Sequence, residues 1–61
     1  MSNTSLNHLD YADAAEAAER GRAWQQAAAL WRKAIELCDE PDRVAAYKAG
    51  VARCEAAIAV H

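Results

Sequence analysis

Alanine sets the strongest constraint on this chain. Seventeen of its 61 residues are alanine, several in runs such as Ala14-Ala15, Ala17-Ala18 and Ala27-Ala28-Ala29, against one proline and two glycines. Alanine has the best helix propensity of any residue but contributes little buried area. The sequence therefore specifies helices more strongly than it specifies a large core. Close-packed, alanine-lined helices are the expected architecture.

The length permits one domain and no more. A chain this short buries only about 60% of the surface its unfolded form exposes, so a partner subunit is a physical expectation. The substantial apolar side chains are Leu6, Leu9, Tyr11, Trp24, Leu30, Trp31, Ile35, Leu37, Val44, Tyr47, Val51, Ile58 and Val60. No apolar run approaches the roughly 18 residues needed to span a bilayer. With no secretory pattern at the start, the chain is expected to be soluble and cytoplasmic, with Cys38 and Cys54 reduced and buried.

Three helices are predicted. Residues 1–6 are polar, without periodicity, and read as a flexible N-terminus preceding a single helical interaction domain over 7–61. The first helix spans about 7–20, with Asn7 as N-cap and Gly21 as a C′ residue able to take positive φ. Asp10, Asp13 and Glu16 lie in its first half and Arg20 ends it, an order that suits the helix dipole. The second spans about 23–38, because Trp24, Ala27 or Ala28, Trp31, Ala34 or Ile35, and Cys38 recur at helical spacing. Pro41 fits the first position of a third helix over about 41–58.

On that third helix, Val44, Tyr47, Val51, Cys54 and Ile58 keep a 3,4,3,4 spacing, which makes a one-sided seam. The seam must pack on the other two helices, on another copy of the chain, or on both. A homodimer through this partner or dimer face is the expectation, with Gly50 letting a second backbone come close. Trp24 and Trp31 share one face of the second helix. They can serve as core or as partner anchors, with Trp31 in the core and Trp24 at the rim reconciling the two.

Two resemblances bear on the fold and function. The stretch from Trp24 through Ala27, Leu30, Trp31 and Ala34 to Leu37, closed by Asp39-Glu40-Pro41, resembles the second helix and terminal turn of a tetratricopeptide repeat. The segment Tyr47-Lys48-Ala49-Gly50-Val51-Ala52 looks like the start of another. The resemblance implies an all-α, three-helix fold, a tetratricopeptide-like helical hairpin plus a third helix.

Over roughly residues 7 to 56 the chain resembles the small bacterial ANR family, negative regulators of AraC-type transcription activators. Tyr11, the Ala14 to Gly21 run, the Trp24 to Ala34 helix and Arg53-Cys54-Glu55 carry that likeness. One residue more stands between Gly21 and the aromatic than in the family's usual turn, since Arg22 and Ala23 both intervene. The resemblance makes Tyr11, Gly21, Trp24, Ala27, Trp31 and Ala34 the fold signature. It implies a protein partner, either a transcription activator or a nucleoid-associated protein.

Chemistry of its own is not expected. His8 and His61 stand at opposite ends, no Cys-x-x-Cys or His-x-x-x-His spacing exists, and no phosphate loop or Ser/His/Asp set is present, so catalytic, metal and cofactor residues are all read as none. Asp39, Glu40 and Asp42 read as capping and solvated residues. The formal net charge of −2 argues against a dedicated nucleic-acid binder, which is expected to be basic. Arg20 and Arg22, and Arg32 and Lys33, lie near Glu16, Glu19 and Glu36, giving a mixed surface. Regulation by binding a protein is the first hypothesis. Direct DNA binding, and inhibition of a host protein by a phage or mobile-element product, are the alternatives.

Overall fold

A computed structural model describes residues 7–60. The expected N-terminal segment 1–6, with Leu6, and the terminal His61 lie outside the described residues. Three α-helices follow one another, α1 at His8–Arg20, α2 at Trp24–Leu37 and α3 at Pro41–Ala59. Among the described residues there is no strand, so the fold is all-α, a helical hairpin with a third helix. The boundaries match the sequence expectation to within a residue, the scatter normal for helix ends.

Each helix starts and stops for a local reason. The Asn7 side chain accepts from the backbone N–H of Leu9 and Asp10, and Asp10 accepts in return from the Asn7 N–H, a reciprocal capping box. At the other end of α1, the Arg22 N–H donates to the Glu19 carbonyl and the Ala23 N–H to the Ala18 carbonyl, at 2.9 and 2.8 Å. This is a Schellman closure. Its left-handed residue is Arg22, with φ 63°, whereas Gly21 sits at φ −85°. The expectation that Gly21 takes the positive φ is thus corrected. Pro41 opens α3 as expected, and the Cys38 sulfur accepts from the Glu40 N–H across the α2–α3 turn.

The core is lined mostly by small residues. Ala12 and Ala15 of α1, Ala27, Ala28 and Ala34 of α2, and Cys38, Tyr47 and Cys54 surround Trp31, which is 4% exposed. With no bulk at the contacts, the helices can approach closely, and the two buried aromatic rings occupy what space remains. Helix α2 is central and packs against both α1 and α3.

Of the packings open to the seam Val44, Tyr47, Val51, Cys54 and Ile58, the one within the chain is present. Tyr47 and Cys54 are buried in the chain's own core, with Val44 and Val51 packed against it. Gly50 faces the Trp31 indole of the same chain. The central helix has a wide apolar surface, and a third helix is what covers its second side. Leu9, Leu37 and Val60, counted among the substantial apolar side chains, are exposed at 45, 43 and 80%.

Candidate interaction site

The residues read as a fold signature divide between core and surface. Ala27, Trp31 and Ala34 are buried, while Tyr11 and Trp24 are half-buried against the core, and Gly21 is exposed at the end of α1. Trp31 and Trp24 therefore take the core and rim positions that their shared face allows.

Trp31 is held from three sides. Its indole Nε1 donates to the Glu19 carboxylate of α1, and its ring stacks at a tilt on Tyr47 of α3, with centroids 5.6 Å apart. The Arg53 guanidinium lies 6.0 Å from the ring centre and also donates to Glu19, at 3.0 Å through one of its terminal nitrogens. One carboxylate thus ties all three helices together. Burial alone raises the Glu19 pKa, but the hydrogen bonds from Arg53 and Trp31 outweigh it and hold the carboxyl below its usual range. At the opposite end of α1, His8 Nδ1 and the Tyr47 hydroxyl share a hydrogen bond of 2.8 Å. Neither long-range tie leaves a spacing in the sequence that could have revealed it.

The Cys54 thiol carries no sign of activation. Burial, and then the neighbouring Glu19 charge, push the Cys54 thiol up. A reactive cysteine needs the opposite shift, towards a stable thiolate. Both cysteines are unbridged. Among the described residues, no three His, Cys, Asp or Glu side chains gather as metal ligands.

The concave surface feature of note is an open groove at the α1–α2 turn, with a cavity volume of about 370 Å³. Arg22, Ala23, Trp24, Gln25 and Gln26 line one side and Ile58, near the end of α3, lines the other. Trp24 and Ile58, its two large apolar side chains, are half-buried. Ala23, at the N-cap of α2, has no side chain able to cap, and the first turn carries no acidic residue. The first backbone bond of the helix runs from the Ala27 N–H to the Ala23 carbonyl. Among the described residues, the N–H groups of Trp24, Gln25 and Gln26 therefore have no acceptor in the chain, which leaves the positive end of the helix uncompensated at the groove.

No family model, curated protein or solved structure matches this chain.

The charged surface is mixed. Arg32 pairs with Glu55, Lys33 with Glu36, Arg43 with Glu40 and Arg53 with Glu19. Four of the seven basic residues thus have an acidic partner within reach, and Arg20, Arg22 and Lys48 form no ion pair among the described residues. No helix of the described residues is long and apolar enough to cross a membrane.

Proposed function

We propose that this chain is a non-enzymatic protein-interaction module that acts by occupying a surface of its partner. The groove at Trp24 carries the reading. It sets a half-buried tryptophan together with Ile58 in a concavity that also has polar lining groups, and tryptophan is among the side chains enriched at binding hot spots. The resemblance to the ANR family supplies the kind of partner: an AraC-type transcription activator, restrained by stoichiometric binding in the cytoplasm, or a nucleoid-associated protein. A homodimer belongs to the same proposal. Its contact would leave out Tyr47 and Cys54, which are buried in the chain's own core.

Affinity purification from the native host tests this directly. The wild-type chain should retain one protein well above background, and Trp24→Ala should lose it while keeping its helix content. If nothing is retained, or if retention ignores Trp24, the reading fails.

Direct DNA binding draws less support. It would need Arg20, Arg22, Arg32, Lys33, Arg43, Lys48 and Arg53 to act together, and four of them sit beside carboxylates that offset their field. Binding to random duplex DNA that falls steeply with salt would revive it. An inhibitor of a host protein encoded by a phage or mobile element would use the same scaffold in the same way.

A further inference from the structure

We infer that the groove at the α1–α2 turn receives an acidic-apolar segment of the partner protein. An apolar side chain would sit on Trp24 and Ile58. A neighbouring carboxylate would be held by the Arg22 guanidinium and the free N–H groups that open α2. The inference rests on the interaction-module reading and deepens it by naming the chemistry of what is bound.

Charge complementarity selects this occupant. The groove is lined by one cation, two amides and apolar side chains, with no carboxylate among them. Most of the chain's cations lie against acids of their own, whereas Arg22 forms no ion pair among the described residues. A purely apolar occupant would leave Arg22 and the backbone donors beside it without acceptors at the edge of a contact that excludes water, which is unfavourable. A basic occupant would place like charges together beside the positive end of a helix. An acidic group answers both the side chain and the helix end. Guanidinium and backbone N–H groups both form charge-assisted bonds to a carboxylate, roughly twice as strong as neutral ones.

The geometry of Arg22 supplies a clean test. Its φ of 63° is one that glycine adopts freely and most other residues adopt at some strain. Arg22→Gly therefore deletes the cation while easing the backbone. A loss of binding cannot then be ascribed to a damaged fold, provided the thermal midpoint does not fall below that of the wild type.

The probe is an amphipathic peptide of leucine and aspartate, titrated into the full chain with backbone-amide and indole NMR shifts as the readout. Saturable binding should move residues 22–26 and 58 and weaken with salt. Arg22→Gly should reduce the affinity by roughly ten-fold or more, the range for losing a hydrogen bond to a charged group. Ile58→Ser should also weaken it. The counterpart peptide of leucine and lysine should not bind. Equal binding of the lysine peptide, indifference to Arg22→Gly, or no saturable shift with the aspartate peptide up to millimolar concentration would each overturn the assignment. Capture of a cellular partner equally by wild type and Arg22→Gly would overturn the groove's chemistry and leave the module reading standing. Peptide binding without capture of any cellular protein would do the reverse.

Discussion

The indole of Trp31 lies directly over the backbone of Gly50, so closely that a Cβ built on Gly50 would stand 2.5 Å from the ring's Cε2 and 2.7 Å from both Cδ2 and Nε1. Glycine in mid-helix is ordinarily a weakness, about 1 kcal/mol worse than alanine. Here its missing side chain is what lets α3 close over the central tryptophan.

The usual sign of a glycine-to-alanine change in a helix should consequently reverse. Gly50→Ala should destabilise the fold by about 1–3 kcal/mol, the range for overpacking a filled core, because the ring it meets is stiff and held by Glu19. Chemical denaturation of the two proteins checks this. A variant more stable than the wild type would show that α3 can shift away from Trp31 at little cost.

The two tryptophans should behave differently when truncated. Trp31→Ala removes the largest buried side chain, a loss of about 3–5 kcal/mol, comparable with the whole stability expected of a domain this size at roughly 0.05–0.15 kcal/mol per residue. It should abolish cooperative melting. Trp24→Ala, at the half-buried rim, should melt cooperatively with most of its helical dichroism retained.

Stability should fall in acid through Glu19. Its carboxyl is held below the ordinary value of 4.5 in the folded chain. The stabilisation is therefore present above that value and is lost as the pH drops through the lower, folded one. Glu19→Gln should be less stable than wild type at neutral pH, and the difference should shrink as the solution is acidified. A difference that is constant with pH would show that the charge of Glu19 contributes nothing.

Val51→Asp distinguishes a seam within the chain from a seam between chains. Val51 is half-buried against the core on α3, so a carboxylate there should destabilise the chain, since a partly desolvated, unpaired charge is costly. Dichroism and sedimentation should be measured together. A folded variant monomer released from a wild-type dimer would mean that this face meets another copy.

Cys54 is fully buried and Cys38 nearly so. In the native protein both thiols should react slowly with an aromatic disulfide reagent, and both should react once the chain is denatured without reductant. Loss of both reactive thiols would point to oxidation.

What the sequence determined by itself is local. Alanine content, the Asn7 cap, Gly21 with the residues after it, and Pro41 are sufficient to place three helices to within a residue, because helix propensity and capping depend on neighbours a turn away. The core positions Ala27, Trp31 and Ala34 follow from periodicity for the same reason.

Tertiary structure decided which surfaces meet. The spacing of Val44, Tyr47, Val51, Cys54 and Ile58 defines a face but carries no information about what covers it, and only the packing shows that Tyr47 and Cys54 enter the chain's own core while Ile58 is left at the groove. Glu19 and Arg53, or His8 and Tyr47, are separated by 34 and 39 positions. No pattern along the chain marks such pairs, because their meeting depends on how the helices dock. The left-handed turn at Arg22 lies between the two cases. Gly21 announces a helix end, but the hydrogen bonds that close the turn set which residue takes the unusual conformation. That choice leaves an arginine at the mouth of the groove.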